Sequence, residues 1–125
     1  MAILKAITVL NCHSIELTLN FYQQLFQFVV VKKREQHGQL HWVHIMHGDT
    51  TLMLQAVAQA VDSENSHLQQ SNITLYFFIN NIKELHHFIK VKHSDVSDIV
   101  VTDYHMQEFS LLDPEGNKIT VGQKS

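Results

Sequence analysis

The sequence of 125 residues predicts an α+β fold built from two β-α-β-β-β modules. Three observations predict it. Alternating apolar runs are interrupted by amphipathic stretches of helical period. The same order of elements restarts after a polar connection. The last strong signal, Glu108-Phe-Ser-Leu-Leu-Asp-Pro-Glu-Gly-Asn-Lys-Ile-Thr120, reads as a closing hairpin.

In the first module, Ile3 to Leu10 is rich in branched apolar residues and reads as a strand. Ser14 suits the cap of a helix reaching about Phe26, with Ile15, Leu19, Tyr22 and Phe26 as its apolar stripe. Phe28 to Lys32 and Gln39 to Met46 are strands. His47-Gly48-Asp49-Thr50 is a tight turn, and Thr51 to Gln55 returns.

Residues 57–72 form the connection between modules 1–56 and 73–125, with the whole chain 1–125 read as one domain. Ile73 to Ile79 is a nearly continuous apolar strand. Asn81 caps a second helix, with Glu84 in the reciprocal capping-box position and Ile82, Leu85 and Phe88 or Ile89 as the stripe. Asp98 to Thr102 is a short strand before the hairpin. Within that hairpin Asp113 can accept a backbone N–H, Pro114 presets φ, and Gly116 tolerates positive φ. Phe109, Leu111, Ile119 and Val121 fall on the face that packs on a helix. Ile7-Thr8 and Ile73-Thr74 open matching strands, and Gln55 and Gln123 follow the two hairpins.

Composition narrows the function. With 45% hydrophobic residues, four Gly and one Pro, long disorder is not expected. A net charge of −3, with Lys32-Lys33-Arg34 as the sole basic run, argues against a nucleic-acid partner; the run reads as a solvated strand end. No stretch approaches the roughly 20 apolar residues that cross a bilayer, so no membrane partner is expected. The first ten residues read as a strand rather than a signal peptide. The single cysteine, Cys12, is an apolar filler that fits a reducing, cytoplasmic location.

Three segments carry a family resemblance. Ser14 to Phe28, with Phe21-Tyr22, resembles the first helix of the vicinal oxygen chelate superfamily, the glyoxalase, bleomycin-resistance and extradiol dioxygenase group. Thr51-Leu-Met-Leu-Gln55 resembles its fourth strand, and Glu108 to Asn117 its closing hairpin. The resemblance implies that the modules pair into a curled mixed sheet, an open cup with helices on the outer face. One departure is Phe26-Gln27-Phe28, where the family has Leu-Gly-Phe and the Gly serves a left-handed helix cap.

The superfamily's enzymes hold a divalent metal with four inward side chains. By resemblance those positions are Ile7 or Thr8, Thr51, Thr74 and Thr120. None offers an imidazole or carboxylate, and a neutral hydroxyl is a poor ligand. No metal and no cofactor are therefore expected. The ten histidines do not change this. On a strand, His41 and His44 face opposite sides, while His41 and His47 sit about 20 Å apart at ~3.3 Å per residue. His86, His87 and His93 read as surface residues, and His37, His67 and His105 as loop or strand-end residues.

The Gly48-Asp49 turn sorts the faces. It pairs Met46 with Thr51, His44 with Met53, and Trp42 with Gln55, leaving Val43, Ile45, Leu52 and Leu54 for the helix side. In the second module Thr74, Tyr76 and Phe78 alternate onto the equivalent face, joined by Glu108, Ser110 and Thr120. Apolar and aromatic walls with a few polar groups describe a small-molecule site. Glu108 offers a partner for a cation, and Trp42, Tyr76 and Phe78 offer stacking surfaces.

The expectation is a metal-free small-molecule binder resembling the bleomycin-resistance branch, sequestering or sensing a partly aromatic compound without catalysis. The resemblance also implies a homodimer. Two alternatives stay open: a metal-dependent lyase or dioxygenase of the same superfamily, and a dimeric interaction module without ligand.

Overall fold

The computed structural model describes residues 1–58 and 71–125. Most of the expected connection, and His67 with it, lies outside the described residues. The chain divides into two compact units, Met1–His67 and Leu68–Ser125.

The first unit runs β1 (Thr8–Cys12), α1 (Ile15–Phe26), β2 (Val29–Gln36), β3 (Gln39–His47) and β4 (Thr50–Ala56). Its four strands are ordered β1-β4-β3-β2. β1 pairs parallel to β4, and the other pairs are antiparallel. The first strand starts later than expected. Ile3 and Leu4 are exposed, because β1 finds a partner strand only from Thr8 onward.

α1 covers one sheet face because its stripe matches a row of aliphatic side chains. Ile15, Phe21, Tyr22, Leu25 and Phe26 are buried, as are Leu10, Val43, Ile45, Leu52 and Leu54. Tyr22 meets Phe21 and Phe28 edge-on at 5.1 and 5.7 Å. Such pairs add about 0.5–1.5 kcal/mol each beyond simple burial. Ser14 stands at the N-cap position but makes no side-chain cap hydrogen bond; Thr18 Oγ1 donates to its carbonyl at 3.0 Å instead. At the other end Gln27 takes the left-handed conformation at φ 58°. Gln27 N–H donates to the Gln23 carbonyl, the bond of an αL C-cap made here without the usual glycine, and Phe28 N–H donates to the Tyr22 carbonyl.

The second unit repeats the order: β5 (Thr74–Phe78), α2 (Ile82–Lys92), β6 (Val100–Val101), β7 (Met106–Leu112) and β8 (Lys118–Lys124). The sheet order is β5-β8-β7-β6, with β5 parallel to β8. Phe109, Leu111, Ile119 and Val121 are buried on one face. The His86 ring meets Phe109 at 5.0 Å, and its Nε2 lies 2.8 Å from the Ser97 carbonyl. His86 is thus half-buried packing of α2 against β7, not a surface residue. The expected strand over Asp98 to Thr102 shrinks to two residues, since β7 offers register partners only to Val100 and Val101.

The closing turn follows its sequence chemistry. Asp113 Oδ1 accepts the N–H groups of Glu115 and Asn117, each at 2.9 Å, and Oδ2 accepts from Asn117 Nδ2 at 2.8 Å. Gly116 has φ 85°. The second helix departs from the expected capping box. Asn81 Nδ2 bonds the Glu84 carboxylate, and the Ile82 N–H donates to Gln123 Oε1 at 2.7 Å. The helix start is therefore tied down from β8.

That contact also corrects the residue-level repeat. Gln123 lies on the helix side, as does buried Val121 two residues before it. Gln55 pairs with Trp42 on the opposite kind of face and donates to Asn11 Oδ1 at 2.8 Å. Thr8, two residues before buried Leu10, likewise faces the helix side, whereas Thr74 shares the face of Tyr76. The two units repeat in topology, while these matched letters fall on opposite pleats. No helix among the described residues is long and apolar enough to cross a membrane.

Candidate functional site

Each sheet has one face covered by its helix and one that is not, and each uncovered face carries mixed chemistry. In the first unit the turn fixes the register as expected: Met46 opposite Thr51, His44 opposite Met53, Trp42 opposite Gln55. Gly48 adopts φ 57°, as a two-residue hairpin requires. Of the two first-strand candidates, Thr8 pairs with Leu52 on the helix side, and Ile7 lies before β1.

Two residues on this face escaped the sequence reading. β2 carries an irregularity between Val30 and Lys32, where Val31 has no register partner. Val30 pairs with Ile45 on the helix side, but Lys32 pairs with His44 and Arg34 with Trp42 on the mixed side. A bulge adds one residue and so reverses the pleat. The Arg34 guanidinium lies over the Trp42 ring, 5.2 Å from its centroid. A cavity of about 380 Å³ is lined by Arg34, His41, Trp42, Gln55 and Ala56. His41 sits at the second irregularity of the β2–β3 pairing and joins Trp42 there, contrary to the alternation expected of a regular strand. The His44 ring is 6.3 Å from Trp42, and its Nε2 is buried with no hydrogen-bond partner among the described residues.

In the second unit Tyr76 pairs with Thr120, Phe78 with Gly122, Ser110 with Thr120, and Glu108 with Gly122. Thr74, Tyr76, Phe78, Glu108, Ser110 and Thr120 thus share a face. Phe78 is 80% exposed and Tyr76 37%, with their ring centroids 4.8 Å apart. The Tyr76 hydroxyl donates to Glu108 Oε2 at 2.7 Å. Tyr104, in the turn before β7, donates to the same oxygen at 2.7 Å. Desolvation, then the bond to Glu108 and its charge, push the Tyr76 phenol up to about 12. Tyr104 is raised too, first by its bond to Glu108.

The side chains at the positions where the resemblance implies metal ligands do not suit a divalent ion. Thr51, Thr74 and Thr120 offer hydroxyls and Ile7 offers nothing. Among the described residues no three His, Cys, Asp or Glu side chains come together as a metal site would require. Cys12 is buried and its Sγ lies 3.5 Å from the Leu10 carbonyl, in the role of a small filler.

Two β-α-β-β-β units, each with an unclosed four-stranded mixed sheet and one helix, define the vicinal oxygen chelate fold. The comparison with solved structures places the chain among the glyoxalase and bleomycin-resistance folds. A bleomycin-binding protein complexed with bleomycin matches with a TM-score of 0.71 at 19% identity, covering 97% of this chain and 98% of that one. The antibiotic-binding protein TnmS3 of Streptomyces sp. CB03234 matches with a TM-score of 0.70 at 16% identity, covering 100% and 99%. A lactoylglutathione lyase of Agrobacterium tumefaciens matches with a TM-score of 0.71 at 17% identity, covering 98% and 96%. No family model and no curated protein matches the chain.

Proposed function

We propose that the chain is a small-molecule-binding protein that holds a partly aromatic compound against the mixed faces of its sheets, without a metal. The modules 1–56 and 73–125 act in this reading as one domain, in a cytoplasmic homodimer. The observation that carries it is the exposure of aromatic side chains where no helix covers the sheet: Trp42 beside its cavity, and Tyr76 and Phe78 in the second unit. An uncovered sheet face built only for solubility would carry charged residues there rather than stacked rings. Binders of bleomycin and of an antibiotic among the structural neighbours support the same reading.

A lyase among those neighbours marks the competing enzyme reading. The donor chemistry of Thr51, Thr74 and Thr120 weighs against it. The test uses the chain's one tryptophan, Trp42, as reporter. Titration with bleomycin and a panel of aromatic antibiotics should change its fluorescence saturably with at least one compound. Metal analysis of the purified protein should find no stoichiometric ion. Near-stoichiometric Zn, Ni, Mn or Fe would overturn the metal-free reading, and silence across the panel would overturn the binding reading.

A further inference from the structure

We propose that Glu108, Tyr76 and Tyr104 form a recognition site for an organic ammonium group carried by an aromatic ligand. This deepens the small-molecule-binding reading above and rests on it. Glu108 Oε2 accepts from both phenols at 2.7 Å, which fills its two lone-pair directions and locks the group in place. Oε1 takes no hydrogen bond from any described residue. Two neutral donors orient a carboxylate without cancelling its charge, and no Lys, Arg or His lies within ion-pair distance of Glu108 among the described residues. Asp103, near enough to raise the Tyr104 phenol, adds to the negative field.

The surroundings suit a cation that also carries apolar surface. Phe78 stands 80% exposed beside Tyr76, and Tyr104 is 61% exposed on the other side of Glu108. Aromatic faces attract cations through the ring quadrupole, most strongly where a carboxylate supplies the opposite charge. A hydrated inorganic cation gains little from such rings, and an anion is repelled by Glu108. The arrangement is also deliberately cleared: Gly122 lies under Tyr76, and a Cβ there would stand 1.9 Å from the phenol oxygen. Only the missing side chain lets Tyr76 cross the sheet to reach Glu108.

The test is an amide-resolved NMR titration of the full chain with three probes of similar size: benzylammonium, benzyl alcohol and benzoate. Benzylammonium should shift the amides of Phe78, Glu108 and Gly122, while the neutral and anionic probes bind about tenfold more weakly or not at all. Glu108→Gln should cut benzylammonium affinity by about tenfold and leave benzyl alcohol unchanged. Tyr104→Phe, which keeps the ring but frees the carboxylate, should weaken benzylammonium roughly twofold to threefold, and it carries the test if Glu108→Gln does not fold. Equal response to the three probes, or an unchanged affinity in a folded Glu108→Gln, would overturn the proposal. Bleomycin titration of Trp42 fluorescence runs in parallel. Saturable binding there with no charge preference at Glu108 removes the ammonium site alone, while no binding of any compound removes the small-molecule reading with it.

Discussion

Gly122 and Tyr76 form an interlocking pair: the phenol ring occupies the space above Gly122 in which any other residue would place its Cβ. Gly122→Ala should therefore expel the ring. Overpacking of this kind costs about 1–3 kcal/mol. Urea denaturation should show that loss, and the bond from Tyr76 to Glu108 should be broken in the variant's spectrum.

The same pair makes stability fall at alkaline pH. In the unfolded chain Tyr76 loses its proton near 10.0, while in the fold it keeps it to about 12. The folded state thus binds more protons between those values, so its contribution is whole below pH 10 and is lost as pH rises toward 12. Tyr104 acts in the same direction. Ultraviolet titration should show phenol ionisation delayed beyond the ordinary range, and Glu108→Gln should shift the curve toward lower pH.

Trp42→Ala should leave the fold intact, with stability changed by about 1 kcal/mol or less, because the residue lies on the uncovered face. Ligand affinity should fall about tenfold or more if the ring is a central anchor. Unchanged affinity would show that the ligand sits elsewhere.

Asp113→Ala should destabilise the second unit strongly. It removes the acceptor of three hydrogen bonds and strands buried donors on Asn117. Loss of such a buried network costs about 2–4 kcal/mol. Denaturant titration followed by amide signals from β7 and β8 checks it.

Gln27→Gly should raise stability by roughly 1 kcal/mol, since Gln27 holds φ 58° at the end of α1 and a glycine there removes the Cβ penalty. Thermal unfolding reads the gain.

What the sequence disclosed depended on how local the determining interaction was. The β3–β4 register was legible because Gly48-Asp49 fixes it within four residues, and the Asp113 turn because its acceptor and donors lie within the same loop. The face of each side chain was legible where alternation runs unbroken, as over Thr74 to Phe78. Lys32 and Arg34 were missed because a bulge carries no distinctive residue in Val29-Val30-Val31. Tyr104 was missed because its partnership with Glu108 appears only when the turn before β7 folds back. The Gln123 contact with Ile82 spans 41 positions, and no local pattern announces it.

The hitch at Val31 lets one edge strand turn hydrocarbon toward the helix and then positive charge toward the open side. Were Val31 paired regularly instead, the same residues in the same order would carry Lys32 and Arg34 to the helix side. The polarity this surface presents is thus set by one unpaired residue in the ladder rather than by the kinds of residue along it.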